Sequence, residues 1–316
     1  MAILCRSNAR RKKGLPGLPT RHVRRGRPMP LRTIKRRKSG CPVGHSRPYG
    51  LPVTETEILL AAYDDQMRGA PPTPPVGVVH EHDGPLLRIV GQFRGLVSGP
   101  RDLGVRGAEL DRLIARQRDY FAARGEALEW KTRGHDIPAD LVDRLGTAGF
   151  VPEDRETVLI GRTEEMAALQ PVLPQGVALR RVTADADMRR IAAMESAVWG
   201  EDWSWLADDL TGRVAAGPDE IAIFVAEADG EVVSAAWLAF RGETEFASLW
   251  GGSTLADWRG KGIYRALVSI RARLAADRGV RYLHVDASDD SAPILRRLGF
   301  RAVTTTTPYV WTPPRP

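Results

Sequence analysis

At 316 residues, with 43% hydrophobic and 27% charged residues, the chain has the composition of a globular protein and enough length for two domains. No apolar run approaches the ~18 residues that a membrane span needs; the longest, such as VVSAAWLAF, are strand-sized, so no membrane partner and a cytoplasmic location are expected. The net charge of +7 is uneven, because residues 1–54 hold fifteen of the 46 Lys and Arg and no acid, which leaves 31 cations against 39 acids, a net charge of −8, over residues 55–316.

Taken in chain order, residues 1–54 carry too much like charge and too few large apolar side chains to offset the entropy of ordering them, which predicts a disordered basic arm. Such an arm could bind nucleic acid through counterion release. The preferred reading is a dispensable extension ahead of a start near Met29 or Val53, because Tyr49 is its only aromatic residue and no apolar signal-like run occurs. Cys5 and Cys41 lie in the arm without the spacing of a metal site or a disulfide framework, so no metal is expected.

After the arm, ETEILLAAYDDQMRG reads as a helix, APPTPPVG as a break, and VGVVHEHDGPLLRIVG as two strands around an Asp83-Gly84 turn. A helix is predicted from Ala108 to Ala123, with Leu110, Leu113, Ile114 and Phe121 on one face. Residues 123–150 and 277–300 then share one order: Arg-Gly at a helix end, a strand, a polar turn, a short helix and Gly-Phe, each followed by another strand. This internal repeat predicts two tandem domains over 55–162 and 177–316, joined by a linker over 163–176. The second unit reads as a strand (177–182), a helix capped by Thr183 or Asp185 and running to Trp199, a helix near 202–210, and three strands ending in FASLWGGSTL.

The next stretch, DWRGKGIYRAL, is the most informative. A glycine-rich turn between a strand and a helix gathers unpaired backbone N–H groups at the positive end of a helix dipole, which makes an anion site. Gly260, Lys261, Gly262, Ile263 and Tyr264 would supply the amides, with Arg259 and Lys261 adding full charges; Ile263, Leu267, Ile270 and Leu274 behind them make the helix amphipathic. The turn is neither a GxxxxGK[ST] loop nor a GxGxxG after a first strand, which argues against an NTPase or a dinucleotide enzyme.

The run Arg259-Gly-Lys-Gly262-Ile-Tyr264, with the strand before it, the helix after it, RYLHVDA and the final ILRRLGF, resembles the R/Q-x-x-G-x-G/A loop and its surroundings in the GNAT superfamily of acyl-CoA-dependent N-acyltransferases. The resemblance covers about 176–312. It implies an α/β (α+β) fold of two GNAT-like domains, each a mixed, mostly antiparallel twisted sheet flanked by helices. Residues 55–162 would be a degenerate copy, because RDLGVRGAEL puts Arg106 where the loop's last small residue belongs.

By resemblance, the protein would move an acetyl group from acetyl-CoA to a primary amine of a small molecule or peptide by direct attack through a tetrahedral intermediate. The loop and Ser288 would hold the donor. Trp250, Gly252 and Thr254 would lie along its pantetheine, and amides near Gly251 and Gly252 would polarise the thioester. Glu245 occupies the place of a glutamate base, with Glu195 and Glu201 as rivals. The family's tyrosine acid is missing, since Leu295 stands at its position; Ser291 is the first substitute, then Tyr264 or Tyr282. Tyr264 crowds the loop unless its side chain turns outward. Trp199, Trp203 and Trp205 with Glu201, Asp202, Asp208 and Asp209 would form an aromatic, acidic pocket for a cationic amine. The alternatives are a non-catalytic acyl-CoA-binding protein and nucleic-acid binding through the arm. The residues are silent on the oligomeric state.

Overall fold

The computed structural model describes residues 53–69 and 77–314, so the disorder and nucleic-acid readings of the arm, with Cys5 and Cys41, lie outside the described residues. Helix α1 (Glu55–Gln66) starts in a capping box: Thr54 Oγ1 accepts from the Glu57 amide at 3.3 Å and the Glu57 carboxylate accepts from the Thr54 amide at 2.7 Å. Strands β1 (Val79–Asp83) and β2 (Leu86–Val90) pair antiparallel across the expected turn, where Gly84 takes φ 59°. There follow β3 (Gly95–Ser98), α2 (Gly107–Ala123) and β4 (Leu128–Arg133), with Leu110, Leu113, Ile114 and Phe121 of α2 buried as the periodicity requires. Helix α3 (Leu141–Thr147), the short β5 (Val151–Pro152) and β6 (Glu156–Arg162) close the N-terminal half.

Helix α4 (Thr163–Ala167) and β7 (Val177–Val182) open the second half. Helix α5 (Asp185–Trp199) starts after Ala184 without a side-chain cap, and α6 runs Trp205–Ala216. Then come β8 (Ile221–Ala228), β9 (Glu231–Phe240), β10 (Phe246–Thr254), α7 (Ile263–Asp277), β11 (Tyr282–Ala287), α8 (Ala292–Leu298) and β12 (Arg301–Trp311).

Both halves repeat one plan. In each, a strand, a helix and a parallel strand form a βαβ unit (β3-α2-β4 and β10-α7-β11), then a short helix leads to a last antiparallel strand. The last strands are exchanged: β6 of the first half pairs with β11 of the second, and β12 of the second pairs with β4 of the first. Because β6 and β12 also pair with each other, twelve strands form one sheet in the order β1-β2-β3-β4-β12-β6-β11-β10-β9-β8-β7, with β5 on β12. The repeat foresees two units of the same plan; what it does not foresee is that each would lend the other a strand, which leaves no exposed edge between them. Residues 163–176, expected as a linker, lie against α7: Met166 is buried, and the Ala167 and Leu169 carbonyls accept from Arg273 and Ser269.

One face of β8–β11 packs on α7 and α8, with Leu267, Val268, Leu283 and Leu295 in the core. The other face is covered by α5 and α6 around Trp203 and Trp237, and by α1, whose Leu59 and Tyr63 sit on Val158, Ile160, Phe246 and Tyr282. The sheet bends sharply beside α1. Lys131 of β4 donates to Asp286 of β11 at 2.6 Å, although two strands lie between them in sheet order and three spacings of ~4.8 Å would hold them about 14 Å apart in a flat sheet. Among the described residues, no helix is long and apolar enough to cross a membrane.

Candidate active site

Strands β10 and β11 pair through only three residue pairs, Phe246 with Tyr282, Ala247 with Leu283 and Ser248 with His284. Beyond Ser248 the parallel strands diverge, so the β10 edge facing β11 is left unpaired and a wedge opens with Ser248 and His284 at its apex. At the far end of β10, a 3₁₀ turn (Ala256–Trp258) leads into the glycine loop.

The loop has the geometry of an anion cradle. Gly260 and Gly262 take φ 72° and 86°, and no side chain caps α7. A Cβ on Gly262 would stand 3.0 Å from the Val172 carbonyl oxygen, so backbone conformation and space both demand glycine there. Arg259 Nε donates to the Thr254 carbonyl at 2.9 Å and Lys261 Nζ lies 4.8 Å from the Trp258 ring centre, which keeps both cations beside the cradle. An uncapped helix N-terminus lined by glycine and two cations suits a phosphate group.

Within the wedge, β10 bulges between Gly251 and Ser253. Gly251 and Gly252 take φ 66° and 92°, and aromatic rings hold the bulge from both sides: a Cβ would come within 2.6 Å of Trp237 at Gly251 and of Tyr264 at Gly252. Tyr264 therefore does not turn outward as the crowded loop suggested. Its ring lies on the bulge, in the space that Gly252 leaves, and burial pushes its phenol up. Behind the bulge, fully buried Arg271 of α7 donates Nη1 to the Trp237 and Trp250 carbonyls; burial pushes this guanidinium down to about 10.

Other residues singled out in the sequence fall in different places. Trp250 is half-buried at the wedge, its Nε1 without a protein partner. Thr254 turns away, its hydroxyl 2.8 Å from Ser234 Oγ of β9. Ser288 and Ser291 sit past the C-terminal end of β11, on the open side of the wedge, with their hydroxyls 3.2 Å apart. Glu245 precedes β10, at the opposite end from the bulge. Gln66 and Arg281 hold its carboxyl below the usual range, so the placement expected for a base beside the thioester is not met there. Tyr282 is buried under α1.

The acidic pocket near 195–210 does not form. Trp203 is core, Trp199 and Trp205 pack on it at 6.1 and 5.3 Å, Asp202 accepts from the Ser204 amide, and Asp209 pairs with Arg213. Glu195 is fully buried and receives Trp199 Nε1 at 2.8 Å; burial pushes its carboxyl up.

A cavity of about 200 Å³ instead occupies the bend of the sheet, between the end of α1, strands β2–β4 and the apex of the wedge. Ser248, Trp250, His284 and Asp286 line it, whereas Glu195, Glu201 and Glu245 do not. Ser248 Oγ lies 3.3 Å from His284 Nδ1, and His284 Nε2 lies 3.1 Å from Asp286 Oδ1. Burial pushes Asp286 up, but the Lys131 ammonium and the His284 ring hold its carboxyl well below the usual range. A hydroxyl, an imidazole, a carboxylate and an ammonium thus form one buried chain ending at the wedge. The sequence reading passed over His284 and Asp286. Their signal was present in RYLHVDA: positions two apart face the same way in a strand, so two polar side chains share one face of an otherwise apolar element.

A strand wedge, a bulge and a glycine loop at a helix start define an acyltransferase-like fold, and the comparisons agree. Residues 186–300 match the model of the acetyltransferase (GNAT) family. The mycothiol acetyltransferase of Streptomyces coelicolor is 30% identical over 189 residues, 57% of this chain and 60% of that protein; that of Streptomyces griseus matches with the same identity and shares. The chain thus spans about 60% of the length of these curated relatives. Among solved structures, a GCN5-related N-acetyltransferase from Kribbella flavida superposes with a TM-score of 0.60 at 18% identity, over 82% of this chain and 95% of that one. A tandem GNAT protein from the clavulanic acid biosynthesis pathway gives 0.54 at 15% identity, over 83% and 97%. At such identities the likeness is one of fold.

Proposed function

We propose that the protein transfers an acetyl group from acetyl-CoA to the primary amine of a small molecule held in the cavity, by direct attack through a tetrahedral intermediate. Acetyl-CoA supplies the activated thioester. The amides of Gly260 to Tyr264, with Arg259 and Lys261, bind its pyrophosphate, and the unpaired edge of β10 from Trp250 to Gly252 receives the pantetheine; Ser288 flanks the open side. Residues 55–162 act as a degenerate copy that walls the cavity.

His284 is the base in this reading. It lies at the apex, where the wedge meets the cavity, and a neutral amine is needed there for attack. Asp286, fixed by Lys131, orients the ring and stabilises it when protonated. Amides at Gly251 and Gly252 stabilise the oxyanion. Tyr264, whose phenol stays protonated beside the bulge, is better placed than Ser291 to protonate the leaving thiolate. Glu245, tied to Gln66 and Arg281, keeps a structural role.

The observation that carries this reading is the wedge, with an uncapped helix start at its mouth and the His284–Asp286 pair at its apex. Turnover of acetyl-CoA against a panel of small primary amines, followed as released CoA thiol, tests it. His284→Ala is expected to lower kcat on an accepted amine by roughly 10²–10⁴-fold, the usual worth of a general base, with acetyl-CoA affinity unchanged. Binding of acetyl-CoA without turnover of any amine would favour the acyl-CoA-binding protein instead.

A further inference from the structure

The two halves part their parallel strands at the same point and treat the gap differently. Strands β3 and β4 pair through three residue pairs, the last being Val97 with Trp130, just as β10 and β11 pair through three that end at Ser248 with His284. Backbone N–H and C=O groups freed where strands part need partners. In the second half the gap is the open wedge. In the first half the loop after β4 turns back into it: the Ile137 amide donates to the Arg101 carbonyl at 2.7 Å, and the Leu103 amide donates to the Ile137 carbonyl at 3.1 Å. Ile137 thus bridges Asp102 in the parallel sense. Asp102 lies five residues past Val97, as far along its strand as Ser253 lies past Ser248. Two bonds to alternate residues of one edge are those that an extended amide chain makes when it adds itself to a sheet.

The same loop reaches the cavity. His135 Nδ1 lies 2.7 Å from Thr304 Oγ1 of β12, and its Nε2 lies 2.9 Å from Asp64 Oδ2 of α1. Asp136 accepts from the Arg133 amide at 2.7 Å and pairs with Arg68 at 2.8 Å, and Arg68 pairs in turn with Asp64 at 2.6 Å. Tyr63, Met67, Arg68 and Gly69, at and just past the end of α1, line the cavity. With 12 residues α1 would be marginal alone, so whatever holds its end decides the shape of that wall. We infer that residues 135–138 stand in the first half's wedge in place of an acyl donor and, anchored there, fix the end of α1 as the wall that positions the acceptor amine. The first half then serves the acceptor and not the donor. This deepens the proposed function and rests on it for the roles of the second wedge and the cavity.

Amide hydrogen exchange of the full chain, with and without saturating acetyl-CoA, tests the inference. The Leu103 and Ile137 amides should be protected without acetyl-CoA and unchanged by it, while those of Trp250 to Gly252 slow only when it is present. Asp136→Asn, which breaks the pair with Arg68, should speed exchange over residues 63–68 about tenfold and raise the KM of an accepted amine by as much, the worth of one charge-assisted hydrogen bond, with the KM of acetyl-CoA unmoved; Asp136→Glu should retain part of the wild-type behaviour. Fast exchange at Leu103 and Ile137, slowing of either by acetyl-CoA, or a folded Asp136→Asn in which exchange over 63–68 or the amine's KM is unchanged would overturn it. Protected Leu103 and Ile137 beside unmoved amides at Trp250 to Gly252 would support the filled first wedge and contradict the donor role of the second. The wild-type measurements stand even if the variant fails to fold.

Discussion

Two loops occupy the same place in the repeated plan, each between the first strand of a βαβ unit and its helix, and they meet the same electrostatic demand in opposite ways. In the N-terminal half, Asp102 Oδ1 accepts from the Gly104 amide at 2.9 Å and from Arg106 Nη2 at 2.8 Å. The loop thus supplies its own carboxylate and pairs its own cation. In the C-terminal half, α7 starts without a side-chain cap at Gly262, and Arg259 and Lys261 remain beside the loop. The first loop pairs its own cation, and the second leaves Arg259 and Lys261 without an ion pair among the described residues, as the proposed anion site requires. Neither helix start carries a side-chain cap, so the difference lies in the loop ahead of it, where Asp102 takes an amide and a cation in the N-terminal half.

Glycine substitutions would break this comparison most sharply. Gly252→Ala has to fit a methyl group 2.6 Å from the Tyr264 ring at a φ of 92°, which displaces the ring and distorts the bulge. Turnover should fall at least about tenfold, the cost of misplacing a thioester by a fraction of an ångström. Gly104→Ala, at φ 72° with nothing within 4 Å of the new methyl, should cost about 1–2 kcal/mol of stability and leave the kinetics unchanged. Steady-state kinetics and thermal unfolding of both variants check this; a kinetic loss at Gly104 equal to that at Gly252 would mean that the N-terminal loop also serves the reaction.

A smaller effect sharpens the contrast in burial. Glu195 lies behind the Trp199–Trp203 stack, and burial raises its carboxyl pKa above the ordinary 4.5. Below that value both folded and unfolded chains hold the proton. As pH rises past it, the unfolded chain ionises first, and stability falls until the folded carboxyl ionises too. Glu195→Gln should flatten this decline and raise the Tm at neutral pH, read from unfolding curves over a pH series. A variant whose stability falls in parallel with the wild type would show that Glu195 is not the source.

Local features of this protein were legible in the sequence because local chemistry sets them. The apolar period of α2 and α7, the Asp83-Gly84 hairpin and the glycine turn all appear where spacing and residue type put them. The repeat announced two units of one plan. The exchange of β6 and β12 was not legible, since a strand's residues say that it will pair and not with which neighbour. The same limit hid the site's chemistry. Lys131 and Asp286 are 155 residues apart and meet only because the sheet bends. The family resemblance pointed to Glu245, whereas the apex of the wedge is set by where β10 leaves β11, at Ser248 and His284. The tryptophans and acids of 199–209 were ambiguous between pocket and core; Trp203 and Trp205 pack with Trp237 in the core, whereas Trp199, Glu201, Asp202 and Asp208 are exposed.

The most direct test of the central claim is a calorimetric titration of acetyl-CoA into the full chain, beside an Arg259→Glu, Gly262→Asp variant that gives the second loop the acidic side chain that the first already has. One site per chain in the wild type and none in the folded variant is the predicted result. Two sites per chain, or binding that survives in the variant, would contradict the account.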